Sequence, residues 1–329
     1  MGILTPDSGS IPDFHLAIIY PEINRLFGNS VDNDAVIAGK LQIGAPVAHG
    51  NAADNGAISL ATEISDIALI QLQLERFRDS EENYLICLKH FKKQKDRLGQ
   101  SAVYGVLGTL YFKEGDYHKS LDSYEKAYNI YKELKQVQES ITCLIGIGNN
   151  YVKLNKFDEA CETFLKCSVL CSDNKDIYNL LDCLGNLIYI HEQQQKWDVV
   201  FELYKKTLKA FQEIKDIKGI VTSYFNLGIL QKKNYNFVEA LRYFKKGTNE
   251  AIDANFAELI IRGLSYVAET LFYLGNIKDA KNQFIKALHI AKKMGAKNAI
   301  IQLRILLQSL GLQDNNISEE LKQYELNQK

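Results

Sequence analysis

Residues 104–117 read Tyr104-Gly105-Val106-Leu107-Gly108-Thr109-Leu110-Tyr111-Phe112-Lys113-Glu114-Gly115-Asp116-Tyr117, and the pattern returns in register every forty residues. A forty-place slide sets Tyr104, Leu107-Gly108, Tyr111, Gly115, Tyr117, Ser120, Tyr124 and Ala127 over Leu144, Ile147-Gly148, Tyr151, Asn155, Phe157, Ala160, Phe164 and Cys167. The same slots hold Leu184, Leu187-Ile188, His191, Gln195, Trp197, Val200, Tyr204 and Thr207, then Tyr224, Leu227-Gly228, Gln231, Tyr235, Phe237, Ala240, Phe244 and Gly247. Leu264, Val267-Ala268, Leu271, Gly275, Ile277, Ala280, Phe284 and Ala287 follow. An upstream copy lies in Ile64, Ile67-Ala68, Gln71, Glu75, Phe77, Ser80, Tyr84 and Cys87, and a degraded one in Arg304, Leu307, Gly311, Asn315, Ile317, Glu320 and Tyr324. A fixed period of this length marks a repeat architecture. Six good units and a weak seventh run from about residue 61 onward.

Each unit contains two blocks in which apolar residues recur at three and four places, the spacing of one helix face. Between the blocks stand Gly115-Asp116, Asn155, Asn234 with Asn236, and Gly275-Asn276. Glycine ends a helix and Asp or Asn caps the next, so the unit is an antiparallel helix pair. Only four prolines occur, all of them within the first fifty residues, which leaves the repeats free of helix breakers. Gly108, Gly148 and Gly228 fall mid-helix, where glycine costs roughly 1 kcal/mol against alanine. Their recurrence predicts that the backbone is itself a packing surface, with Ser120, Ala160 and Ala240 opposite. The aromatic of each second helix (Tyr124, Phe164, Tyr204, Phe244, Phe284) is expected to fill the space between a unit and the next. One pair cannot bury its apolar face alone, whereas a stack can.

On these small, aromatic and Leu-Gly slots the chain resembles the tetratricopeptide-repeat family. The forty-residue unit, with Gly185-Asn186-Leu187, Phe225-Asn226-Leu227-Gly228 and Gly148-Asn149, is similar to the subgroup typified by the LGN mitotic scaffold and rapsyn. The resemblance implies an all-α, right-handed superhelical solenoid over residues 59–312, with 313–329 a degenerate last helix or tail. It also implies a concave groove, lined by the first helices, that holds a peptide or helix of another protein. The residues after the Leu-Gly step and a turn before it then face the groove: Thr109, Lys113, Asn149, Lys153, Asn186, Tyr189, Gln193, Asn226, Lys232, Lys233, Arg262, Tyr266, Glu269 and Tyr273. Amides pair with both N–H and C=O of an extended peptide, and aromatics anchor at low entropy cost. The alternative for each position is an ordinary solvated helix face. Family members that clamp chaperone C-terminal tails place Lys, Asn and Arg where this chain has Ala102, Gly105, Thr142, Ile145, Asp182 and Gly185, so such tails are not expected partners.

Lys plus Arg total 39 against 40 Asp plus Glu, which argues against a mainly electrostatic nucleic-acid binder. No apolar run reaches the roughly 18–20 residues that span a bilayer, so no membrane insertion is expected. No Walker loop, His-Glu-x-x-His helix or Gly-x-Ser-x-Gly elbow occurs, and the histidines are dispersed; neither catalysis nor a cofactor is expected. Cys87-x-x-His90 is half a zinc pattern without a second half. Cys161, Cys167 and Cys171 lie on one helix, and the outer two are about 15 Å apart along its axis, too far to share a metal. Unpaired cysteines fit a reducing compartment, hence a cytoplasmic location, with association to a cytoskeletal or ciliary assembly as a further option.

Residues 1–58 differ in character, with an apolar patch in Phe14-His15-Leu16-Ala17-Ile18-Ile19-Tyr20, a short helix expected around Glu22–Phe27, and an Ala/Gly/Asn-rich passage over 29–56. Their expected role is to cap the first repeat or to dock on another protein. The functional expectation is a non-catalytic interaction scaffold. Its alternative is a peptide-gated regulator whose solenoid changes curvature.

Overall fold

The structure is a computed structural model, and it describes residues 64–327. Among the described residues there are fourteen helices and no strand. They are α1 (64–73), α2 (Phe77–Lys93), α3 (Arg97–Glu114), α4 (Tyr117–Glu133), α5 (Val137–Lys153), α6 (Phe157–Asp173) and α7 (Ile177–Gln193). α8 (Trp197–Glu213), α9 (Ile217–Lys233), α10 (Phe237–Asp253), α11 (Ala257–Tyr273), α12 (Ile277–Met294), α13 (Lys297–Ser309) and α14 (Asp314–Leu326) follow. The chain divides into two compact units, Met1–Leu170 and Cys171–Lys329, with the boundary inside α6. The extension of 1–58 and its expected helix lie outside the described residues.

The helix-to-helix turns have a shorter period than the helix pairs. Glu75, Lys95, Lys135, Asn155, Lys175, Gln195, Lys215, Tyr235 and Asn255 have φ between 55 and 60°, and Gly115, Gly275 and Gly295 are also left-handed, so one such residue recurs every twenty places. Around Lys135, the Gln136 N–H donates to Tyr131 C=O at 2.9 Å and the Lys135 N–H to Lys132 C=O at 3.2 Å. This pairing is the Schellman closure, and it repeats at Lys95, Gly115 and Asn155. Turns within a repeat and between repeats therefore have one geometry. Asp96, Asp116, Asp176 and Asp216 then cap the next helix, each accepting from the backbone N–H three residues on.

In the first unit, Ala68 and Leu72 of α1, Tyr84, Leu88 and Phe91 of α2, and Val103, Leu107 and Leu110 of α3 form one buried cluster. A second cluster joins Tyr124, Ala127 and Tyr131 of α4 to Cys143 and Ile147 of α5. The mid-helix glycines explain how these helices approach. A Cβ on Gly108 would lie 2.8 Å from the Tyr124 ring, and one on Gly146 would lie 2.7 Å from the same ring. Tyr124 thus fills the space between its own first helix and the next, and its hydroxyl pairs with Thr109 Oγ1 at 2.8 Å. Ser120 Oγ donates to the Gly108 carbonyl at 2.7 Å, fixing the same close contact from the other side.

In the second unit, Phe244 takes the equivalent place against Gly228 and stacks on Tyr266 at 4.8 Å. α8 packs on α7 and α9, α10 on α9 and α11, and α12 on α11 and α13. α14 packs across α12 and α13, burying Ile317 and Leu321.

Candidate protein-binding surface on the first helices

Helical spacing sets Asn186, Tyr189 and Gln193 on one face of α7, Asn226 and Lys233 on one face of α9, and Arg262, Tyr266, Glu269 and Tyr273 on one face of α11. In the first unit Thr109 and Lys113 share a face of α3, and Asn149 and Lys153 a face of α5.

Burial sorts these residues. Thr109, Asn149, Asn226 and Tyr266 are buried; Lys153, Asn186, Lys232, Arg262 and Glu269 are half-buried; Lys113, Tyr189, Gln193, Lys233 and Tyr273 are exposed. Thr109 and Tyr266 are engaged inside the fold: Thr109 with the Tyr124 hydroxyl, and Tyr266 between Phe244 and the edge of Phe225 at 5.4 Å. Asn186 Nδ2 donates back to the Asp182 carbonyl at 3.0 Å.

Unit 2 concentrates polar and aromatic groups at the C-terminal ends of its first helices. Lys232 of α9 pairs with Glu269 of α11 at 2.8 Å, both largely shielded from solvent. Lys232 Nζ also stands 5.8 Å from the centre of the Tyr273 ring, which stacks on Phe237 at 5.0 Å and 9°. Lys233 Nζ lies 5.2 Å from the centre of the Trp197 ring. Burial pushes the Glu192 carboxyl above its ordinary range, against the opposing pull of the Tyr204 hydroxyl bond at 3.2 Å and of the Lys233 charge. Within this setting Asn226, 4% exposed, has a buried Nδ2 with no hydrogen-bond partner.

Sequence reasoning selected Asn226 by slot but had no means of separating it from Asn149 and Asn186. It also missed Trp197, Phe237 and Glu192, which lie at helix ends outside the chosen slots.

Cys87, Cys143, Cys167, Cys171 and Cys183 are buried, and Cys161 is half-buried. Burial pushes the Cys87 thiol up to about 11, and it raises Cys143 further. In unit 2 the Sγ atoms of Cys171 and Cys183 lie within 4.8 Å of each other. That neighbourhood was invisible to an argument confined to the helix carrying Cys161, Cys167 and Cys171. His191 is half-buried, with Nδ1 3.2 Å from Gln194 Oε1. No described helix is long and apolar enough to cross a membrane.

No curated protein matches the chain in sequence. The tetratricopeptide-repeat model matches residues 59–133 and again 141–173. Among solved structures, the ligand-free form of RapI superposes with a TM-score of 0.51 at 14% identity, covering 76% of this chain and 97% of that one. Aspartyl phosphate phosphatase F from Bacillus subtilis gives 0.51 at 14% identity, over 80% and 74% of the two chains. A signal-transduction ATPase from Pyrococcus horikoshii with a tetratricopeptide-repeat sensor gives 0.55 at 13% identity, over 93% of this chain and 47% of that one. At such identities the likeness concerns the fold alone. Residues 59–133 and 141–173 thus match tetratricopeptide repeats, and the all-helical repeat fold carries the same register on beyond them.

Proposed function

We propose that the protein is a non-catalytic interaction module that holds an extended segment of another protein against the first-helix faces of unit 2. Tetratricopeptide repeats support protein interaction as the role of the chain. The observation that carries the finer reading is Asn226. A buried amide donor without a partner costs about 1–3 kcal/mol, and a backbone carbonyl of a bound segment would remove that cost once the Asn226 side chain turns outward to meet it. Around it, the exposed Tyr189 and Tyr273 offer aromatic contact area. Lys232 and Glu269 satisfy each other, so they set the shape of the surface and do not attract a charged ligand by themselves.

The test is selection of twelve-residue peptides from a random display library on the purified full chain, followed by anisotropy titration against the unaltered protein and Asn226→Ala. The expected result is binding weakened about tenfold in the variant, the worth of one hydrogen bond near 1.4 kcal/mol. Its melting temperature should be no lower, because the variant discards an unsatisfied buried donor. Equal affinity for both proteins, or no peptide retained by either, refutes the reading.

A further inference from the structure

The forty-residue register exposes an anomaly at α1. The slot of Ile67 is filled downstream by Leu107, Ile147, Leu187, Leu227 and Val267, every one buried. The slot of Ile70 is filled by Leu110, Asn150, Ile190, Leu230 and Thr270, again all buried. In α3 the burial comes from the second helix of the preceding pair, since Leu107 and Leu110 share a cluster with Tyr84, Leu88 and Phe91 of α2. At α1 the same slots are open: Ile67 is 51% exposed and Ile70 56%. Leu74, just past the end of α1, sits in a slot that is half-buried or exposed in the next five units as well, so the anomaly is confined to Ile67 and Ile70. A helix face built to be covered thus stands uncovered among the described residues.

We infer that the chain covers this face itself, with the stretch Phe14-His15-Leu16-Ala17-Ile18-Ile19-Tyr20. Sixty-three residues precede Ile64, so the chain outside the described residues ends directly at the open face. The stretch carries no Asp, Glu, Lys or Arg and offers five large apolar side chains (Phe14, Leu16, Ile18, Ile19, Tyr20) to the face of Ile67 and Ile70. The tether decides against a competing occupant. The 43 intervening residues 21–63 are, by chain length alone, enough to reach any part of α1, a helix about 15 Å long. Such a linker holds the stretch at an effective concentration on the order of millimolar, well above the micromolar concentration of a second copy in an ordinary assay.

The experiment places the photo-reactive residue p-benzoylphenylalanine at position 70 of the full chain, an exposed site that tolerates the added ring, and maps the crosslinks by mass spectrometry. The expected product is an intrachain link to residues 14–20 whose yield does not change with protein concentration. Ile18→Asp with Ile19→Asp, in the same full chain, should lower that yield at least about tenfold. It should also speed hydrogen exchange of the α1 amides while leaving exchange in α9 unchanged. Links to a second chain that grow with concentration, for instance to the exposed Ile301 and Ile305 of α13, would mean that another copy covers the face and would overturn the proposal. Absence of any link to residues 14–20, or unaltered α1 exchange in the doubly substituted chain, overturns it as well.

Discussion

Gly228→Ala tests the packing argument most directly, because two known effects oppose each other at one atom. Alanine gains about 1 kcal/mol over glycine in a helix interior. Against this, a Cβ at position 228 would sit 2.6 Å from Cε1 and 2.7 Å from Cδ1 of Phe244, closer than carbon atoms pack. The ring has no escape: Phe244 is fully buried, stacked on Tyr266 at 4.8 Å and tilted against Phe225 at 6.5 Å. Overpacking of this kind costs typically 1–3 kcal/mol, so the balance is a net loss of up to about 2 kcal/mol. For a unit of this size, that corresponds to a fall in melting temperature of up to roughly 8 °C. Circular dichroism melts, with hydrogen exchange in α9 and α10 to localise the effect, provide the measurement. A second variant separates clash from any other cause. With Phe244→Leu already in place, Gly228→Ala should change sign and stabilise, since the helical preference remains and the ring is gone. A stabilising Gly228→Ala in the unaltered chain, or an unchanged sign after Phe244→Leu, would refute the idea that these glycines exist for aromatic contact.

Two further outcomes follow from the turns and from Glu192. Lys135 is held at φ 57°, where a residue with a Cβ pays about 1–2 kcal/mol. Lys135→Gly should therefore raise stability by about 0.5–1 kcal/mol after glycine's entropy cost, read as a higher denaturation midpoint; a lower midpoint contradicts the strain assignment. The Glu192 carboxyl, raised chiefly by burial, binds its proton more readily folded than unfolded. Its contribution to stability is then fully present below the unfolded value near about 4.3 and is lost as pH rises through the raised folded value. Glu192→Gln, which can still accept from the Tyr204 hydroxyl, should melt above the parent at pH 7 and converge with it toward pH 4; a difference independent of pH would exclude the carboxyl as its source.

The forty-residue recurrence was enough by itself to specify helix pairs, the all-α class and the close approach at the mid-helix glycines, because each rests on residues close in sequence and repeated in register. Ser120 opposite Gly108 is an instance, whereas the placing of the Tyr124 ring against both Gly108 and Gly146 came from the tertiary structure. The turns were only half legible. Gly115 and Gly275 announce themselves, whereas Lys95, Lys135 and Lys215 adopt the same left-handed geometry with side chains that carry no turn signal, since the Schellman bonds there are made by backbone alone. The candidate surface depended most on tertiary structure. Slot position put Thr109, Asn226 and Tyr266 in one class, and only packing separated them: a hydroxyl satisfied by Tyr124, an amide with no partner, and a ring stacked in the core. The bare stripe of Ile67 and Ile70 has the same origin. Mostly aliphatic side chains occupy those slots along the chain, and burial depends on whether another helix lies alongside, which is a property of neighbours in space that no single helix encodes.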